Sequence, residues 1–198
     1  MIRWGRFSAA YAGLAVLATA LAAYWRNGSP LVYPEPWLEL PARMSHTYSL
    51  LLGLLFGFAI VLSTRMVVPR FLWARRLHSE LRPIARSISG VGIVVLAALS
   101  SLGEELLFRG LLQPWLGLIV QSLVFGIVHQ IRGPSRWVWV SWATGVGLGL
   151  GAIFQLTGSL LGPLAAHALI NGLNLLYLRN HDPEPQRRSL GGLLGQRG

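Results

Sequence analysis

Ser101-Leu102-Gly103-Glu104-Glu105-Leu106-Leu107-Phe108-Arg109 puts two acids and an arginine inside an apolar run extending from about Val91 to Leu112. The 198-residue chain has only seven acidic residues, and the other five fall in predicted loops or the tail. Charge at bilayer depth is costly unless it is paired or used, so an ionisable side chain there marks a candidate site. The rest of the chain is read as what surrounds and neutralises Glu104 and Glu105.

Composition sets the class. Hydrophobic residues make up 53% of the chain and charged ones 12%, with a mean hydropathy of +0.52. Such values belong to a multi-span membrane protein rather than a soluble domain. Cysteine is absent, which excludes disulfides, thiol catalysis and cysteine metal sites. The net charge of +10 raises nucleic acid as a partner. However, all 17 basic residues are arginines in short loops between apolar runs, apart from Arg109. That pattern signals topology and attraction to anionic lipid headgroups, and no nucleic acid is expected.

Around the acidic stretch the fold class reads as all-α: a polytopic transmembrane bundle of about six spans. The first span is Phe7 to Trp25, read as a retained helix rather than a signal peptide because it is long and more spans follow. A loop with Pro30, Pro34, Pro36 and Pro41 follows, and the second span is His46 to Val68. Residues 69–90 interleave five arginines with Phe71, Leu72, Trp73, Leu77 and Leu81, predicting an amphipathic interfacial segment. The third span, about Ser87 to Leu112, carries the acids, and a tight turn is expected at Gln113-Pro114-Trp115. The fourth runs from about Leu116 to Gln130, the fifth from Trp137 to Leu156 and the sixth from Ser159 to Leu178. The tail from Arg179 is polar and rich in Pro and Gly, and disorder is expected. The parts are residues 1–82, two helices and a basic linker; residues 83–178, the core; and residues 179–198, the tail. This topology puts 14 of the 17 arginines on one side, predicting cytosolic termini in a bacterial inner membrane.

The chemistry is read from spacing. Glu105 and Arg109 are four apart, in the favourable acid-first order, so they share a helix face. Glu104 is turned away from Glu105 by about 100°. The two acids therefore need not share a job: Glu105 suits a structural ion pair, while Glu104 is free to act as a base. An ion-paired network that only fixes helix packing is the bland alternative. Two further histidines lie in spans, each with a companion four residues away: Phe125 with His129, and His167 with Asn171. Measured along helices from the turns near Trp115 and Gly158, Glu104 lies roughly 15 Å deep, His129 roughly 21 Å, His167 roughly 13 Å and Asn171 roughly 19 Å. Three helices thus bring polar groups to similar depth, as a shared wet cavity would require. Glu104 and His129 could deprotonate a water, and His167 and Asn171 could hydrogen-bond the oxyanion formed at an amide.

Other hydrolytic designs fit less well. No His-Glu-x-x-His motif occurs, the one aspartate is Asp182, and there is no Gly-x-Ser-x-Gly elbow. No cofactor is expected. Zinc held by the two histidines and a glutamate is the lesser alternative. Gly145, Gly147, Gly149 and Gly151 lie inside a span, where small residues four apart allow close helix approach rather than nucleotide binding.

Glu104-Glu105-x-x-x-Arg109, Phe125-x-x-x-His129 and His167-x-x-x-Asn171 together resemble the three motifs of the CAAX protease and bacteriocin-processing family. Its members are also called glutamic-type intramembrane proteases or type II CAAX prenyl endopeptidases. The resemblance covers about Pro83 to Leu178. It implies a helical intramembrane endopeptidase in which Glu104 and His129 activate water, without metal. It further implies that His167 and Asn171 hold the oxyanion and that Glu105, Arg109 and Phe125 support them. The implied partners are membrane lipids and a membrane-embedded protein or peptide substrate. A non-catalytic immunity or scaffold protein, and a proton or ion pathway using the same carboxylates, are the competing readings.

Overall fold

The computed structural model describes residues 4–26 and 28–183. The described chain forms α1 (Trp4–Arg26), α2 (Ala42–Val67), α3 (Leu72–Arg86), α4 (Gly90–Glu105), a π-helix (Leu106–Leu112), α5 (Gln113–Val128), α6 (Arg136–Thr157) and α7 (Leu161–Asn180). Five helical stretches are long and apolar enough to cross a membrane, with Gly90–Val128 counted as one. The protein is a multi-pass membrane protein with an all-helical fold.

That 39-residue stretch is bent back on itself. A straight helix would separate Phe108 from Phe125 by roughly 25 Å, yet their rings lie 5.0 Å apart. The reversal sits at Gly117, whose φ of 74° and ψ of 169° suit almost only glycine. Sequence reasoning put the turn at Gln113-Pro114-Trp115. Instead, Gln113 and Pro114 open α5, where a proline's missing N–H costs least. The expected fourth span is the second arm of this hairpin.

α7 lies at the centre, packed on α2, α3, α4 and α6, and α1 flanks the far side of α4. The α2–α7 crossing is close because small residues face each other. A Cβ on Gly53 would land on the Gly162 carbonyl group, and one on Gly57 would press on Ala166. Ser49 accepts a bond from the Gly162 amide at 2.9 Å, satisfying one otherwise orphaned donor in the first turn of α7. Gly147 and Gly151 on α6 admit Phe125 and Leu118 of α5, and Gly149 admits Phe56 of α2.

The two ends of the bundle are finished differently. At one end the proline-rich loop is strapped to the α6–α7 turn. Tyr33, Trp37 and Leu38 amides donate to the carbonyls of Gly158, Gln155 and Leu156 at 3.0, 2.8 and 3.0 Å. At the other end the expected amphipathic segment is α3, which turns Ala74, His78 and Ala85 inward and leaves Leu72 and Arg76 outside. The Glu80 carboxylate ties it to the α5–α6 loop through the Ser135 hydroxyl, at 3.0 Å.

The tail expectation needs correction at its start. α7 continues to Asn180, His181 stacks on Tyr177 at 4.6 Å, and Asp182 pairs with Arg82 at 2.9 Å. These contacts bind residues 179–182 to α3 and α7. The remainder of the expected disordered tail, residues 184–198, lies outside the described residues, as does Arg3.

Candidate active site

Glu104 and Glu105 close α4, where the backbone widens into a π-helix: the Gln113 amide bonds to the Phe108 carbonyl five residues back. Such widened turns recur at functional sites. Glu105 and Arg109 are both fully buried, and Arg109 Nη1 donates to Glu105 Oε1 at 2.9 Å. Arg109 also donates to the Gly147 carbonyl at 3.2 Å and lies 4.3 Å from the Phe125 ring centroid. Its charge is thus compensated by a carboxylate, a carbonyl and an aromatic face.

Glu104 faces the other way. Its Oε2 lies 3.3 Å from His129 Nε2 and 3.7 Å from His167 Nε2. Each imidazole is held by its other nitrogen. His129 Nδ1 is 2.7 Å from the Phe125 carbonyl, which can only accept, so the proton sits on Nδ1. His167 Nδ1 donates to Glu105 Oε1 at 2.7 Å. Both Nε2 atoms are thereby turned toward Glu104, and both tautomers are set by the neighbouring acceptor. Glu105 Oε1 serves Arg109 and His167 together, which links the buried ion pair to the orientation of the second histidine.

Phe125 is packed between these groups. Its ring lies 4.3 Å from His129, 5.8 Å from His167 and 5.0 Å from Phe108. Asn171, one turn beyond His167, donates to the Ser100 hydroxyl at 3.1 Å. Glu104, Phe125, His129, His167 and Asn171 all line one cavity of about 280 Å³. That is ample for ordered water, which needs only about 10–15 Å³ of such space. The structure therefore brings all seven sequence-nominated residues together: five line the cavity, while Glu105 and Arg109 lie sealed behind it.

Four contributors escaped the sequence reading. Ser100 sits one turn before Glu104 and looks like an ordinary helix serine. Trp139 and Trp142 lie inside the fifth expected span and carried no site signal. Tyr11 comes from α1, far away in sequence, and lines the same cavity as Glu104. Among the described residues, no group of three His, Asp or Glu side chains is arranged to hold a metal ion.

Residues 87–173 match the family model described as type II CAAX prenyl endopeptidase Rce1-like. This segment is similar to the Rce1-like family. It carries Glu104, Glu105, Arg109, Phe125, His129, His167 and Asn171, so every nominated residue lies within it. A Bacillus subtilis (strain 168) relative, described as "Uncharacterized protein YpbD", is 36% identical over 87 residues. The alignment covers 44% of this chain and 46% of that protein, so the chain matches about half the relative's length. No solved structure matches. The Rce1-like segment contains α4 to most of α7, but the cavity wall is completed by α1 and α3, which lie outside it.

Proposed function

We propose that the chain is an intramembrane endopeptidase that hydrolyses a peptide bond in a membrane-associated protein or peptide, with water as nucleophile. The observation that carries this reading is the Glu104 Oε2 held 3.3 Å from His129 Nε2 inside a cavity deep among apolar helices. A carboxylate and an unprotonated Nε2 are both acceptors. A water between them would be oriented by donating to both, and would lose one proton to this pair as its oxygen attacks the amide carbon. The resulting oxyanion would be met by the free amide hydrogen of Asn171. His167 Nε2 joins when it carries a proton, with Glu105 and Glu104 supplying the counter-charge. Collapse of the tetrahedral intermediate breaks the C–N bond, and the proton taken from water passes to the leaving amine. Glu105, Arg109 and Phe125 never touch the substrate in this scheme; they hold the rings in place.

The family description supports peptidase chemistry at that general level. We place the protein in a bacterial inner membrane with cytosolic termini, on the arginine distribution, and assign it no cofactor. The substrate class is a membrane-anchored chain cut near a terminus, as in C-terminal processing or sorting.

Quantitative proteomics of termini in membrane fractions tests the reading. Cells carrying the wild type, Glu104→Gln or His129→Ala are compared at equal protein level. Both variants are expected to accumulate the same uncleaved precursor. Equal processing in all three strains would return the cluster to a non-catalytic role. Loss of processing on zinc chelation, restored by zinc, would favour the metal-dependent alternative.

A further inference from the structure

We infer that Tyr11, on α1, is a positioning residue that holds the Glu104 carboxylate in its working orientation. The inference rests on the reading of Glu104 as the water-activating base. It assigns a role to a residue outside the Rce1-like segment.

The sequence of α1 makes the approach possible. Ser8, Tyr11, Ala15, Ala18 and Ala22 recur every three or four residues and form one face. Ser8 and the three alanines are buried, so this face is the one packed on α4 and the π-helix. The contact is closest beside the site. A Cβ on Gly103 would lie 2.7 Å from the Tyr11 carbonyl oxygen, so the two backbones touch one residue before Glu104. Glycine at 103 thus lets α1 come near enough for a tyrosine to reach past α4 into the cavity. Tyr11 lines that cavity with Glu104, His129, His167 and Asn171.

The chemistry follows from donors and acceptors. Glu104 presents Oε2 to two imidazole nitrogens. The last torsion of a glutamate is broad and roughly two-fold, so one-sided contacts leave the carboxylate plane loosely fixed. The Tyr11 phenol, in the same cavity wall as Glu104, offers an O–H donor from a different helix. A hydrogen bond from a hydroxyl to a carboxylate is short and stronger than a neutral pair. Such a bond would hold the carboxylate plane against rotation about that torsion. Misplacement of a catalytic group by about 1 Å can cost on the order of a hundred-fold in rate.

The test uses the full chain in detergent and, as substrate, the precursor that accumulates in Glu104→Gln membranes. Wild type, Tyr11→Phe, Tyr11→Ala and Glu104→Gln are compared for kcat, KM and Tm. Tyr11→Phe keeps the ring and removes only the hydroxyl. Its kcat is expected to fall about ten-fold or more, with KM within about two-fold and Tm unchanged. Tyr11→Ala should share the kcat loss and also lose Tm. If Tyr11→Phe matches wild type while Tyr11→Ala merely lowers Tm, the tyrosine is a packing residue and the inference is overturned, with the protease reading intact. If Glu104→Gln membranes accumulate no precursor, the protease reading falls and takes this one with it.

Discussion

The Glu105–Arg109 pair sets up the sharpest thermodynamic prediction. Both side chains have no exposed surface, and one 2.9 Å hydrogen-bonded ion pair joins them. Arg109→Met keeps an unbranched chain of similar reach but leaves Glu105 buried with His167 as its remaining donor. Removing one partner of a buried pair costs about 3–5 kcal/mol, because the other charge stays behind. At roughly 2–4 °C per kcal/mol for a chain of this length, the Tm should drop on the order of 10 °C. Glu105→Gln in the same background removes the stranded charge yet keeps an oxygen for His167 Nδ1. Replacing both members of a buried pair is often close to neutral, so the double variant should recover most of the loss. The assay is thermal unfolding in detergent followed by intrinsic fluorescence, run as a double-mutant cycle at neutral pH. A coupling of about 2 kcal/mol or more is expected. An Arg109→Met variant melting within about 2 °C of wild type would refute the argument, as would a double variant whose loss equals the sum of the single ones.

Two further predictions concern backbone and pH. Gly117→Ala adds a methyl group with nothing within 4 Å of it, so any cost comes from its φ of +74° alone. Thermal unfolding should register a loss of about 1–3 kcal/mol, and no loss would mean the hairpin does not depend on that conformation. His78 is buried on the inner face of α3, donating to the His181 carbonyl at 3.0 Å, with Tyr177, Arg82 and Asp182 also near. Burial is the largest influence and holds its folded pKa below the usual histidine value, only partly offset by the carbonyl and Asp182. The unfolded chain therefore takes up the proton first. His78's contribution is complete above about pH 6.5 and is lost as pH falls from there through the lower folded value. Tm measured between pH 8 and pH 5 should decline on the acid side, and His78→Asn should flatten that decline. An unchanged slope would remove His78 from the account.

The local and periodic features were readable in the sequence. Glu105 and Arg109 meet because four residues bring side chains to one helix face, and Glu104 diverges because adjacent residues do not share one. The spanning helices were equally legible as long apolar runs, and α3 as arginines interleaved with apolar residues. Register within the bent stretch was not. Pro114 drew the expected turn toward itself, but proline is tolerated in the first turn of a helix, and the reversal went to Gly117, which takes a positive φ. The π-helix also left no mark, because leucines at 106, 107, 111 and 112 suit an α or a π turn equally. Tyr11 was illegible for another reason. Its partner lies far along the chain, and the approach depends on a glycine whose only visible role was to interrupt a helix.

The unequal finishing of the two ends has a consequence for traffic. The cavity runs from Glu104 toward Leu81 and Ile84 of α3 and Leu178 of α7, whereas the loop strapped to the α6–α7 turn through Tyr33, Trp37 and Leu38 contributes none of its lining. The chamber thus lies toward the α3 end of the bundle. On the protease reading, a substrate would arrive, and both severed pieces would depart, at the α3 end of the bundle or sideways between helices.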